Sequence, residues 1–414
     1  MQDILKGLRI VEASAFIAAP MCGMTLAQLG ADVIRFDQIG GGIDYRRWPV
    51  TPDNHSIYWA ELNKGKRSLA VDLKKPEARE LITRLIALPG PEGGIMSTNL
   101  PAKGWLSHES LCQHRSDVIQ LAIVGDRHGG TAVDYTVNAK VGFPWLTGPE
   151  DDARPINHVL PAWDITAALL ASTSLLAALR YRDQTGKGQR IDLALADVAL
   201  AAVGHLGYVG ERKINGVERT RGGNYLYGAF GRDFTTADGH RVMVMAISPK
   251  MWSGLLAATG LAQAMSALGQ SLGLDLDQEG NRYQARREIA GLLETHIGNQ
   301  PLAALAGRFD AEGVCWGRYQ TMAELIDHDP DCSPENPLYS LVEQPDIGTY
   351  PVADQAMRFN AVPREPARRA PRLGEHTDEI LADLLRMSSG EIGRLHDAGI
   401  VAGPRREIHP REKP

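Results

Sequence analysis

The sequence predicts an α/β fold: a Rossmann-like parallel sheet in a large domain, with a smaller α+β domain following it. Three observations lead there. Short, branched apolar runs alternate with helix-like stretches through the first third of the chain. The first strand, helix and second strand fit within about thirty residues, the length of one βαβ unit, which implies a parallel pair. The texture then changes near Arg219, where a glycine- and tyrosine-rich segment opens a hairpin-like one.

LRIVEA reads as the first strand, APMCGMTLAQLG as a helix and ADVIRFD as the second strand. Pro20 falls in the helix's first turn, where a missing N–H costs little, and Gly30 stands just past its end. SLAVDL, PEARELITRLIAL and GGIMSTN repeat the pattern, and DVIQLAIVG adds a strand. Asp164 to Arg182 reads as a long helix closed by DQTGKGQ, and RIDLALADVALAAVGHLG as another strand and helix. Beyond Arg219, TRGGNYLYGAFGRDF leads into TTADGHRVMVMAI and then to helices near 249–272 and 283–296. The large domain is thus expected over 1–200, completed by 346–414, the small one over 222–325, and linkers at 201–221 and 326–345.

Apolar residues make up 43% of the chain and charged ones 23%, a balance that buries a large core and argues against disorder. The net charge of −6 offers no nucleic-acid footprint. Cys22, Cys112, Cys315 and Cys332 lie far apart without ligand spacing, so reduced thiols in the cytoplasm are expected and a metal site is not. MQDILKGLRIVEAS lacks an apolar signal core. The most apolar stretch, 165–179, is too short for a bilayer, contains Thr166, Ser172, Thr173 and Ser174, and reads as a buried helix. REIHPREKP reads as a frayed end.

No G-x-x-x-x-G-K-[ST] phosphate loop is present: the GKG of TGKGQ lacks the upstream glycine and follows a helix instead of opening one. No G-x-G-x-x-G follows the first strand, and zinc-protease, C-x-x-C and G-x-S-x-G patterns are missing. A sheet of this type hosts many chemistries. Taken alone, the residue patterns stop at an α/β enzyme.

Four segments, in order, resemble blocks of the class III coenzyme A transferase family (formyl-CoA and carnitine-CoA transferase type). LKGLRIVEASAFIAAP with LAQLGADVIRFD resembles its opening βαβ, and LNKGKRSLAVDLKKPEAR its N-[RK]-x-K-R-S-x-x-x-D-L block. DITAALLASTSLLAALRYRDQTGKGQRIDLAL resembles the helix bearing its nucleophile, and APRLGEHTDEIL its C-terminal signature. GGGIDYRRWPV, NHVLPAWDI, GNYLYGAFGRDF and GIVAGP resemble a branch that moves CoA between the two carboxyls of one branched, unsaturated C4 diacid. The resemblance implies a CoA thioester of a small dicarboxylic acid as substrate, CoA present only as part of that thioester, and no tightly bound cofactor. It also implies an interlocked homodimer, with no nucleic-acid or membrane partner.

Asp164 matches the family nucleophile. By itself, an aspartate ahead of a good helix reads as an N-cap; the D-x(15)-R-x-x-x-x-T-G-x-G-Q context carries the nucleophile reading. A helix N-terminus favours the ionised, attacking carboxylate. Gly222 and Gly223, with Asn224, match the family's glycine loop, whose bare backbone can meet an oxyanion; an interdomain turn is the alternative. Arg35, Lys66, Arg67 and Asn99 match CoA-binding positions, the basic ones as phosphate contacts, with solvated surface charge as the alternative. Phe16, Ile17 and Ala18 fall in the first loop, where the family packs the pantetheine arm. Arg46 and Arg47 suit a free carboxylate, or surface pairing. His128 for a distal carboxylate and His158 for orienting Asp164 compete with ordinary loop roles. NLPAKGWL departs from N-F-x-P-G, with Lys103 standing approximately where an arginine is usual. Ile17 replaces a first-loop glutamine, which argues against an oxalate or formyl substrate.

Two rivals share the fold. A racemase needs a histidine beside the aspartate, carried in G-H-D-x-N-Y; here AVDYTVN puts Val133 in its place. Exchange between separate acids uses the same nucleophile and is left open. A silent CoA-binding scaffold is a third reading, against which the intact context of Asp164 counts.

Overall fold

In the computed structural model, which describes residues 3–404, the apolar and branched runs become parallel strands. These are β1 (Arg9–Ala13), β2 (Asp32–Gln38), β3 (Arg67–Val71), β4 (Ile95–Thr98), β5 (Ile119–Val124) and β6 (Gln189–Ala194). They lie in the order β3-β2-β1-β4-β5-β6, the doubly wound arrangement. A further strand, Val401–Ala402, pairs antiparallel with β3 and is too short to have a sequence signature. REIHPREKP lies outside the described residues.

Helix Pro76–Ile86 buries Ala78, Leu81, Ile82, Leu85 and Ile86, a three-four spacing that gives one apolar stripe. That stripe joins Val11, Ile34, Leu69, Met96 and Ile380 in one core. Helix Ala162–Thr185 begins two residues earlier and ends three later than expected, stopping at the left-handed Gly186. It packs on β5 and on helix Ala18–Gln28, through Ala167, Ala168, Ala171, Leu175 and Ala178. Its 24 residues are long and apolar enough to cross a bilayer, which corrects the expectation that the stretch is too short. Nor is it buried all round: Leu169 and Leu170 are 48% and 43% exposed.

Contacts divide the chain into two units. Residues up to 141, 159–209 and from 329 onward form the first; 142–158 and 210–328 form the second. The second is built on an antiparallel sheet of β7 (Phe230–Thr235), β8 (Arg241–Ala246) and β9 (Cys315–Arg318). Its own core contains Phe230, Val244, Leu255, Ile289 and Phe309. Segment 142–158, expected in the large domain, falls in this second unit. Arg221 holds it there, donating to the carbonyls of Pro144, Trp145, Asp152 and Arg154. Such bonds leave no periodic trace in sequence. The expected linkers are also structured, since 201–221 carries a short helix at Glu211–Asn215. Within 326–345, strand Tyr339–Gln344 pairs with Gly348–Ala353.

Candidate active site

β1 and β4 are neighbours, and the chain leaves them toward opposite sides of the sheet order; the crevice at such a switch point is where doubly wound sheets bind ligands. Asn99, just past β4, clamps the loop after β1. Its Oδ1 accepts from the Ala15 N–H at 2.9 Å, and its Nδ2 donates to the Ala15 carbonyl at 2.7 Å. Asn99 therefore shapes the loop with both ends of its amide. Phe16 follows with φ of 65°, an uncommon conformation for a bulky residue. Ile17 caps helix Ala18–Gln28 by backbone alone, and Ala18 is buried.

Two expected CoA contacts are corrected. Arg35 is 1% exposed: it donates to both Asp37 oxygens at 2.8 and 3.0 Å, to Asn63 at 3.1 Å and to Asp44 at 2.9 Å. Lys66 is equally enclosed, donating to Glu12 at 2.7 Å, the Pro20 carbonyl at 2.8 Å and Asn63 at 3.0 Å. Burial pushes its pKa down while Glu12 opposes the shift. Neither cation can meet a phosphate without abandoning a buried carboxylate, a severe loss in a low-dielectric interior. Alternation along β2 puts Asp37 two residues from Arg35 on the same face, and the turn after β2 brings in Asp44. Arg67 bonds Asp32 at 2.8 and 2.5 Å and Glu379 at 3.1 Å. Lys103 is exposed, and no ion pair to it is found among the described residues.

Asp164 is the third residue of its helix, not the cap. The cap is supplied from another helix: Asp134, first residue of Asp134–Lys140, accepts through Oδ2 from the N–H of Trp163 at 2.7 Å and of Asp164 at 3.1 Å. Trp163 Nε1 adds a bond to Asn138 at 3.1 Å. With capping done by Asp134, the Asp164 side chain is relieved of that duty. Burial, then the charge of Asp134, pushes its pKa up to about 6, against a downward pull from Arg47.

Arg47 is the cation of this site. Its guanidinium carbon lies 5.3 Å from the centroid of the Phe16 ring and 5.4 Å from that of Tyr58, within cation–π range of both. The Tyr58 hydroxyl is buried and makes no hydrogen bond of ordinary geometry among the described residues. Burial pushes its pKa up to about 12; Arg47 opposes this, and Asp164 and Asp44 add to it. Phe16, Arg47, Tyr58 and Asp164 thus form one neighbourhood. Arg46 turns instead to a separate cavity of about 140 Å³, lined also by Tyr45, Trp59 and Arg372.

Gly222 and Gly223 lie in the second unit. Gly223 has φ of 58°, and the Gly222 carbonyl accepts from the Tyr225 N–H at 3.0 Å. A Cβ on either would meet nothing closer than 3.9 Å, so conformation and not crowding favours glycine at 223. His128 and Val133 are exposed, and His158 falls in the second unit. Sequence reasoning missed Tyr58 and Asp134. The second had a signal: AVDYTVN was weighed at Val133, one residue away.

The profile of CoA-transferase family III matches residues 5–377. This chain belongs to that family. Among CoA-transferase family III proteins, it is 56% identical to 2-methylfumaryl-CoA isomerase of Chloroflexus aurantiacus, over 98% of this chain and all of that one. It is 30% identical to succinyl-CoA:mesaconate CoA-transferase of Haloarcula hispanica, over 91% and 95% of the two chains. The crystal structure of a CAIB/BAIF family protein from Brucella suis superposes with a TM-score of 0.74 at 26% identity, covering 93% of this chain and 100% of that one. The family's fold, a largely parallel α/β sheet with a smaller α+β unit, is the one described above.

Proposed function

We propose that the protein is a 2-methylfumaryl-CoA isomerase, moving CoA from one carboxyl of mesaconate to the other through covalent intermediates on Asp164. The near full-length, 56% identity to the Chloroflexus isomerase carries the reaction. An Asp164 carboxylate relieved of capping supports the nucleophile.

One Asp164 oxygen attacks the thioester carbonyl, the C–S bond breaks, and CoA leaves as thiolate from a mixed anhydride. The thiolate attacks the Asp164 carbonyl carbon, giving aspartyl-CoA and free dicarboxylate. The diacid turns, its other carboxylate attacks the aspartyl thioester, and the thiolate returns to the new anhydride at the substrate carbonyl. Asp164 is regenerated, no proton is consumed and one thioester replaces another. Arg47 and the buried Tyr58 hydroxyl are donors suited to the dicarboxylate between half-reactions. Lys103 and the loop 16–18 are suited to CoA, and Gly222 and Gly223 to the oxyanions of the tetrahedral steps. Racemisation would need a second base where Val133 stands.

The working form is a homodimer, interlocked as in the family. Leu169 and Leu170 on helix 162–185, with Leu200 and Leu206 at 49% and 62% exposure, offer the apolar surface a second copy would cover. Four unpaired cysteines suit a reducing cytoplasm.

The test is isotopic: incubate pure protein with 2-methylfumaryl-CoA and excess ¹³C-mesaconate. Positional isomerisation without label in the thioester pool is expected. A retained diacid gains an effective molarity of roughly 10⁵ M or more over any free acid. Label entering as fast as isomerisation would establish exchange between separate acids instead.

A further inference from the structure

Asp44 is a buried carboxylate that the aspartyl mechanism does not use, yet it joins two parts of the site, the loop at Phe16 and the turn that carries Arg47. Arg35 beneath it is immobilised by both oxygens of Asp37, by Asn63 and by the Trp59 ring at 5.4 Å. Asp37 already satisfies that guanidinium in bidentate fashion. Asp44 adds one oxygen to it at 2.9 Å, and its other oxygen accepts from the N–H of Phe16 at 3.0 Å. Phe16 is the residue in left-handed conformation, and such a backbone persists only where its surroundings over-determine it. Here Asn99 holds Ala15 on one side and Asp44 holds Phe16 on the other. The carbonyl of Asp44 meanwhile accepts from the N–H of Arg47 at 3.0 Å, closing the turn that carries this arginine. That turn fits closely: a Cβ on Gly42 would lie 2.9 Å from Asp37 Oδ1 and 3.4 Å from Asp44 Oδ1.

We propose that Asp44 is a positioning residue for the reaction: side chain and carbonyl together set the Phe16 ring and the Arg47 guanidinium against each other, and so hold the cation beside the nucleophile. The inference rests on Asp164 being that nucleophile. The charged groups around the pair are Arg35, Asp37 and Arg47 on the Asp44 side, and Asp134, Arg47 and the Tyr58 phenol on the Asp164 side. Loss of the Asp44 carboxylate frees Phe16 to relax and releases the face on which Arg47 rests, without touching the substrate.

The experiment compares Asp44→Asn, Arg47→Met and the double variant in kcat, KM and pH profile. Each single variant is expected to lose about tenfold or more in kcat, the scale of a displaced positioning group. Each is also expected to move the acid limb of the rate upward, because the cation favouring the Asp164 carboxylate is displaced in the first and removed in the second. In the Arg47→Met background, Asp44→Asn should cost less than about threefold, since the two act through one contact. Multiplying effects, or an Asp44→Asn enzyme with wild-type kcat and acid limb, would overturn the proposal. Should Asp44→Asn fail to fold, Phe16→Leu keeps the Arg35 pair and removes the ring. It should reproduce the loss and the coupling, and wild-type behaviour there refutes the idea equally. Asp164→Ala separates the two readings: an active Asp164→Ala enzyme defeats the aspartyl mechanism itself. An inactive one with independent effects at 44 and 47 defeats only the role of Asp44.

Discussion

At the scale of single residues, the proposed nucleophile is a trade between chemistry and stability. The Asp164 carboxyl is raised to about 6 by burial and by Asp134, whereas an unfolded aspartate titrates at about 3.9. Between about pH 4 and 6 the folded chain holds a proton that the unfolded chain has released, so stability falls as pH rises through that window. Discounted for solvent, the loss is on the order of 1–2 kcal/mol. Asp164→Asn should therefore abolish transfer yet melt higher than wild type at pH 8, with little advantage below pH 4. Calorimetry at the two pH values checks it, and an unchanged difference contradicts the sign. The first half-reaction, followed as the aspartyl thioester trapped by hydroxylamine, should weaken as pH drops through about 6, where Asp164 protonates. Asp134→Asn removes a like charge and should move that limb down. Arg47→Met removes the opposing cation and should move it up.

At the scale of elements, the helix that carries Asp164 is started by a neighbour. Asp134 satisfies two of its first N–H groups, so Asp134→Ala should destabilise the protein by about 1–2 kcal/mol in urea unfolding. Asp134→Asn, whose amide oxygen still accepts, should cost less. Equal losses in the two variants would point to packing and not capping. The helix Ala18–Gln28 meets the sheet still more closely. A Cβ on Gly23 would sit 1.7 Å from Glu12 Oε2, and Glu12 is clamped by Ser14 and Lys66 at 2.7 Å each. Because the carboxylate cannot swing away, Gly23→Ala should cost about 3 kcal/mol or more, read from the same unfolding curves.

For the whole molecule, the exposed leucines of helices 162–185 and 195–205 predict assembly. Light scattering at micromolar concentration should give twice the 45.0 kDa chain mass. Leu170→Asp with Leu200→Asp should lower that mass or leave the protein insoluble, because a charge placed in an apolar contact loses its hydration. A monomer in the unaltered protein, with full activity, would rule the dimer out.

The sheet was legible from sequence because its signals are local: apolar runs, Pro20 in a first turn and Gly30 at a helix end all act within a few residues. Asp164 stood out as a candidate through the family blocks, and Arg47 through the chemistry of its guanidinium. Tertiary structure alone decided how the charges are spent. Arg35 and Lys66 look like Lys103 in a sequence, but Asp37 and Asp44 take the first, Glu12 takes the second, and both cations are closed inside. Asp164 looked like a cap until Asp134, thirty residues earlier, took that duty. The position of 142–158 depended on distant guanidiniums, those of Arg221 and Arg287. Periodicity reports which face of an element is apolar; the partner of a buried charge is set by which loops the fold brings together, and no local pattern encodes it.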